Sequence, residues 1–481
     1  MGNLKIENKW LIFLGIILTF LVSKEAYVLP LTHDEYNTIS CSQTSLWDII
    51  SYKDPVPNNH ILNTLLLKLN IYLFGEHLFT DRLHNVVFFI PYFVFGVKTS
   101  RLIFDNIWIR VTMITLLTLH PFLLDFFSVT RGYGISVSLL MISLYFAILQ
   151  WQHGKTKHLI LSALFCAFGV YANFTLINVL IPLMGILAYY TYTRWFSANK
   201  SLFYKDLGMI VLINSILGIM VFNPLYKMVS TKQFVYWGTS GIIHDTVKSL
   251  IQSMRTGVEY FGTTNERIFA IVFGFIVIVS VVGCIFNLLF QKNKTYNYLY
   301  SLLTLVILYN ITQFYVLKIP YLNARTALFF IPLVGIVISI SVNTIYKRSK
   351  TLGIALLILI NAAIVQHFVR GFNVKVNQEW YYDANTYEVL DYVKAMVDFG
   401  QLPKPVQMNC YWIFYPSLKY HVDHGYSEYI TFAPYDTKID NDQASLIYYT
   451  ESGEKDKILH RFDVLKDFGW GSRFVMKAKS Q

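Results

Sequence analysis

Residues His60 to Gly75 read "HILNTLLLKLNIYLFG", and whether this stretch crosses a membrane decides how the rest of the chain is threaded. Its apolar core, Ile61 to Phe74, is shorter than the roughly 20 residues that span a bilayer, and Asn63, Lys68 and Asn70 interrupt it. That length and composition predict a helix lying in the membrane surface. Charge gives the same answer. If the stretch lies flat, every basic cluster from Lys98, Arg101 and Arg110 to Lys347, Arg348 and Lys350 falls on the same side as Lys5 and Lys9. If it spans, those clusters move to the side opposite the N-terminus, against the positive-inside rule. The flat reading therefore predicts a cytoplasmic N-terminus.

Working outward, apolar runs long enough to span recur from near Trp10 to past residue 360. Composition agrees: 54% of the 481 residues are hydrophobic, only 14% are charged, and the mean hydropathy is +0.44. Soluble domains carry roughly 25% charged residues, so a polytopic helical membrane protein is expected. About eleven spans are predicted, beginning near Trp10, Leu78, Trp108, Gly134, His158, Thr175, Leu207, Arg267, Tyr298, Thr326 and Leu352. The N-terminal run lacks a small-residue cleavage site and is expected to stay as an anchor. The net charge of +11 is scattered between apolar runs rather than gathered in one patch, which argues against nucleic acid. Four cysteines form no framework or metal pattern, and a Cys41–Cys410 pairing is left open.

The predicted architecture is a mainly α transmembrane bundle, residues 1–370, followed by a small α/β domain, residues 371–481, outside the membrane. Asp383 is expected to cap a helix carrying Tyr387, Leu390, Val393 and Met396. "VQMNCYWIF", "EYITFA", "SLIYYT" and "RFVMK" read as strands. The outer loops run from Pro30 to about His77, around "HPFLLDFFSVTRGYG", from about Ser230 to Glu266, and over "LKIPYLNART". The first holds in-plane helices around Leu46–Ile50 and over Ile61–Phe74.

The unusual charges gather at those loops: His33, Asp34 and Glu35; His60, Asp81 and Arg82; Asp125 and Arg131; Lys318 and Arg325. Snorkelling explains a basic residue at a helix end, but acids have no routine role beside lipid. Guanidinium groups bind phosphate through paired, charge-assisted hydrogen bonds, and a nearby carboxylate can take a proton from an attacking hydroxyl. Together they describe group transfer from a lipid phosphate. Adjacent carboxylates at Asp34 and Glu35 are expected to raise each other's pKa and so improve the base. The alternative reading is a polar turn capped by Asp34.

A first span followed by adjacent acids, then "PNNHILNTLLLKLNIYLFG" and "GEHLFTDRL", resembles the GT-C membrane glycosyltransferases. The resemblance is to the branch of the protein O-mannosyltransferases and the lipid A aminoarabinose transferase. "SVTRGYGISVSLLMISLYF" is similar to that branch's Ala-Arg-Tyr segment after the third span, and "YLNARTALFFIPLV" to the Arg-containing start of a late span. Where the branch usually reads His-Pro-Pro-Leu, this chain has Asn58-Asn59-His60-Ile61. The resemblance implies a polyprenyl-phosphate-linked sugar donor and inverting transfer on the extracytoplasmic side of the plasma (inner) membrane. It implies Asp34 as catalytic base with Glu35 beside it, and Asp125 as the second-loop acid. It implies Arg82, Arg131 and Arg325 as donor-phosphate ligands, with Lys318 and Tyr321 beside Arg325 and His33 and His60 in support.

The expected acceptor is a hydroxyl, left open between lipid, glycan and protein. Tyr236, Trp237, Tyr260 and Phe261 of the long loop are candidates for stacking on sugar. The competing class is a flippase or transporter of lipid-linked saccharides, which would show matched repeats and charges at mid-membrane. "IDND" at Ile439–Asp442 has the look of a metal-binding Asp-x-Asp but sits in a polar tract that reads as a turn. "RGYG" lacks the remainder of a dinucleotide fingerprint. No ligand cluster indicates a metal, and a divalent cation is left open.

Overall fold

The computed structural model describes residues 2–233, 238–253, 293–434, 444–469 and 471–479, together with positions 285 and 289. The span expected from Arg267, Cys284, "IDND", and the loop aromatics Tyr236, Trp237, Tyr260 and Phe261 lie outside these residues. The chain divides into two compact units. One is Met1–Tyr27 with Cys41–Asn373; the other is Val28–Ser40 with Val374–Gln481.

The first unit is a helical bundle: α1 (Gly2–Val28), the end of α2 (His33–Ser42), α3 (Leu46–Ile50), α4 (Ile61–Phe74), α5 (Leu78–Ile103), α6 (Ile107–Thr118) and α7 (Pro121–Ser128). There follow α8 (Gly132–His153), α9 (Thr156–Ala172), α10 (Ile177–Trp195), α11 (Lys200–Ser230), α12 (Lys248–Ser253), α13 (Lys294–Leu317), α14 (Phe330–Arg348) and α15 (Lys350–Gly371). Among the described residues, 8 helices are long and apolar enough to cross a membrane. The chain is a multi-pass membrane protein. Helix α8 is central, buried along 83% of its apolar length, and α1 peripheral, at 22%. The decisive stretch is a helix of 14 residues, Ile61–Phe74, about 21 Å long and so too short for a roughly 30 Å hydrocarbon core.

Two runs depart from straight spans. The run expected from Trp108 breaks into α6 and α7, bent by 57°. Pro121 opens α7 without an N–H to give, and the residue before it, His120, is extended (φ −118, ψ 104). Helix α9, where a span was expected from His158, has 17 residues, slightly short of a full crossing.

The second unit holds a five-stranded mixed sheet: β1 (Val406–Cys410), β2 (Ile430–Phe432), β3 (Ile447–Glu451), β4 (Phe462–Asp467) and β5 (Arg473–Ala478). The order is β2-β1-β3-β5-β4. Strand β1 pairs parallel with β2 and β3, and β5 pairs antiparallel with β3 and β4. Helix α16 (Thr386–Asp398) packs Val389, Leu390, Val393, Met396 and Val397 into a core shared with Val406, Met408, Ile447, Tyr449 and Val475. Helices α17 (Tyr415–His421) and α18 (Ser452–Ile458) complete it. Asp383 does not cap α16. Its position is taken by Asn385, and the Asp383 carboxylate turns to the backbone of His33.

Candidate active site

In "LTHDEYNTIS", Leu31 to Ser40, a helix begins at His33. Thr32, His33, Asp34 and Glu35 form the N-terminus of α2, where the first N–H groups need acceptors and negative charge is favoured. The Glu35 carboxylate accepts the Thr32 N–H at 2.9 Å, and the Thr32 hydroxyl accepts the Glu35 N–H at 3.4 Å. That reciprocal pair is a capping box, and its Thr-x-x-Glu signature stands in the sequence. The next donor, His33 N–H, reaches Asp383 Oδ2 at 2.8 Å. Glu35 is fully buried and Asp34 is 8% exposed.

The segment is seated among residues of its own unit. Leu31 N–H donates to His421 Nε2 at 3.0 Å, and its carbonyl accepts from the Ser417 hydroxyl at 2.5 Å. The His33 ring meets Trp412 edge-on and places Nδ1 at 2.9 Å from the Ile413 carbonyl, so Nδ1 carries the proton. Burial pushes the Asp383 carboxyl well above the usual range. The His33 N–H opposes that shift, the charges of Asp34 and Glu35 add to it, and Arg473 opposes it.

In the helical bundle, the predicted residues fall into separate groups. Arg82 is fully buried and donates to the Ala26 carbonyl at 3.1 Å. Glu25, 1% exposed, lies within electrostatic reach of Arg82 and Asp125. Sequence reading absorbed Glu25 into the first span; an acid in the last turn of an apolar helix was the available signal. Asp125 is itself 2% exposed, on the short helix after the break.

Arg131 is gripped by a residue that motif reading treated only as a departure. Its Nη1 donates to the Asn58 carbonyl at 3.1 Å and its Nη2 to Asn58 Oδ1 at 3.0 Å, which fixes the plane of the guanidinium. His60 packs edge-on against Tyr133, with ring centroids 5.0 Å apart. The glycines of "RGYG" make this closeness feasible. A Cβ on Gly132 would stand 1.9 Å from the Ala172 carbonyl oxygen, and one on Gly134 2.3 Å from that of Phe126. A buried polar network braces the same region. Asn63 donates to the Thr130 carbonyl at 3.2 Å, while His84 Nε2 and Asn85 Nδ2 both reach Asn63 Oδ1 at 2.9 Å.

Tyr321 and the 3-10 turn Ala324–Ala327, which carries Arg325, are clamped by residues 238–249. Tyr321 N–H donates to the Gly238 carbonyl at 2.8 Å, Thr246 donates to the Leu322 carbonyl at 2.6 Å, and Ser249 accepts the Ala324 N–H at 2.9 Å. The clamping segment is itself closed by Asp245, whose Oδ2 accepts the N–H groups of Ser240 and Gly241. Those bonds hold the Asp245 carboxyl below its usual range despite desolvation. Tyr321 is buried and stacked on Phe314 at 4.4 Å, whereas Lys318 is exposed in a left-handed conformation (φ 57). Cys41 and Cys410 are free thiols. Among the described residues no group of three His, Cys, Asp or Glu is placed to hold a metal ion.

No protein-family model matches the chain, and no curated protein matches it. Among solved structures, ArnT from Cupriavidus metallidurans in the apo state is similar over 98% of both chains, with a TM-score of 0.53 at 9% identity. ArnT from the same organism bound to undecaprenyl phosphate aligns over 98% of this chain and 99% of that one, with a TM-score of 0.45 at 10% identity. At 9% identity the first likeness is one of fold alone: the chain has an ArnT-like fold.

Proposed function

We propose that the chain is a membrane glycosyltransferase that moves a sugar from a polyprenyl-phosphate carrier to an acceptor hydroxyl on the extracytoplasmic side. The observation that carries this reading is the acidic start of α2. Glu35 and Asp383 bind backbone N–H groups there, and Asp34 stands beside them in the first turn. The ArnT-like fold supports the reaction class.

The chemistry needs one base. Asp34 takes the acceptor's proton as its oxygen attacks the anomeric carbon; the carbon–phosphate oxygen bond breaks, and its electron pair leaves with the phosphate. A single displacement inverts the anomeric centre. The leaving group is already an anion's oxygen, so it requires charge stabilisation rather than protonation. Arg82, Arg131 and Arg325 are the groups we assign to that task, with Tyr321 and Lys318 beside the last. Glu25 lies within electrostatic reach of Arg82, and we assign Asp125, His33 and His60 supporting roles.

The test is the full chain reconstituted in lipid with a panel of polyprenyl-phosphate sugars, reading release of polyprenyl phosphate. Release in the presence of a hydroxyl acceptor, lost in Asp34→Asn by the 10²–10⁴-fold typical of a general base, is expected. Full release by a folded Asp34→Asn protein would remove the residue from the chemistry. Movement of intact donor across the bilayer without release would favour a flippase instead.

A further inference from the structure

Helices α1 and α5 enclose a groove of about 740 Å³ on the rim of the bundle. Its walls are apolar: Ile12, Ile16 and Phe20 of α1 are 62%, 63% and 65% exposed, facing Phe93, Val94 and Val97 of α5. The helices touch at Gly15, where a Cβ would stand 2.8 Å from the Phe93 ring, and the groove follows α1 from Asn8 to Ser23. At 1.5 Å per residue that is a run of roughly 22 Å, suited to an extended hydrocarbon chain. The two hydroxyls along it are turned back on their own helix. Thr19 donates to the Gly15 carbonyl at 2.8 Å and Ser23 to that of Thr19 at 2.7 Å.

One end of the groove is cationic. Arg101 and Arg110 both reach Glu7, at 3.8 Å and 2.7 Å, so that carboxylate is already doubly matched. Lys98 is exposed, with its ammonium 4.8 Å above the Phe95 ring and no carboxylate partner among the described residues. The groove thus joins an apolar channel to a cationic mouth at which Lys98 has no carboxylate partner among the described residues. We propose that it binds one anionic phospholipid, an acyl chain lying along α1 and the headgroup phosphate at Lys98. None of the residues lining this groove is among those assigned to sugar transfer, and the proposal does not depend on that assignment.

The experiment places the full chain in nanodiscs containing phosphatidylglycerol or phosphatidylcholine with the same diazirine-bearing acyl chain, and maps photo-cross-links by peptide mass spectrometry. Labelling should concentrate on residues 12–20 and 90–97, roughly five-fold stronger with phosphatidylglycerol, the preference one lysine near an anionic headgroup confers. Lys98→Gln should abolish that preference while leaving phosphatidylcholine labelling in place. Equal labelling by the two lipids in the unaltered protein overturns the proposal and requires no variant to fold. So does a preference that survives Lys98→Gln, or phosphatidylglycerol labelling as strong on the exposed face of α11 at Ile219 and Phe222. Absence of groove labelling by either lipid, as a second protein copy seated there would produce, overturns it too.

Discussion

Asp34 and Glu35 are neighbours in sequence with the same chemistry, and the capping box predicts that their amide variants behave oppositely. In Glu35→Gln the side-chain oxygen that accepts the Thr32 N–H at 2.9 Å is retained, because glutamine serves the same position of a capping box. What is lost is the charge on that bond. A hydrogen bond to a charged group contributes about 1.5–3 kcal/mol and a neutral one about 0.5–1.5, so the cost is roughly 1 kcal/mol. That loss leaves the helix start in place, and sugar transfer should stay within about three-fold of the unaltered protein. Glu35→Ala is more severe: it strands the Thr32 N–H, on a residue only 2% exposed, at about 1–3 kcal/mol. Asp34→Asn should leave the melting temperature nearly unchanged and lower transfer by about 10²–10⁴-fold. The assay is single-turnover release of polyprenyl phosphate by each reconstituted variant, alongside thermal unfolding. Should Glu35→Gln fall as far as Asp34→Asn while melting normally, Glu35 shares the base's role and the capping argument fails.

Three further outcomes follow from the geometry. Asp383 has a carboxyl raised by burial, so its folded form holds a proton that the unfolded chain releases near pH 4; stability should decline as pH rises above that value, and Asp383→Asn, which keeps an acceptor for His33 N–H, should flatten the decline in melts from pH 4 to 9. An unchanged slope would place the titration elsewhere. Arg325→Ala should weaken binding of the polyprenyl-phosphate donor about ten- to hundred-fold, and Arg325→Lys should restore only part of it, since an ammonium lacks the paired geometry; equal affinities in a direct binding assay would exclude Arg325 from the phosphate. Reporters fused after Lys155 and Lys292 should read cytoplasm, and those after Asp54, Lys248 and Gln481 the opposite side; a cytoplasmic signal at Gln481 contradicts the placement of transfer outside the membrane.

What the sequence discloses and what it conceals divide along a physical line. Apolar length is a local property, and eight of the expected spans, the short helix Ile61–Phe74 and four of the five strands were readable from it. Strand β4 escaped because "FDVLKD" is an edge strand with mostly exposed side chains, so its pattern lacks an apolar face. The bend before Pro121 had a local signal, the proline itself, outvoted by the continuous hydropathy on either side. The candidate site is harder because its residues are defined by partners far away in sequence. Asp383 reads as a cap for the helix three residues on, yet it satisfies a donor 350 positions earlier. Asn58 reads as a departure from a motif, yet it orients Arg131 across 73 positions. Even "THDE", whose capping signature is local, was obscured by its charge: two acids side by side suggest a tuned base. The structure gives Glu35 a different task, because a helix N-terminus needs acceptors for its first N–H groups and Glu35 supplies one. Proximity of acids in sequence is therefore poor grounds for assigning them a shared role. Which backbone donor each carboxylate answers is the better guide.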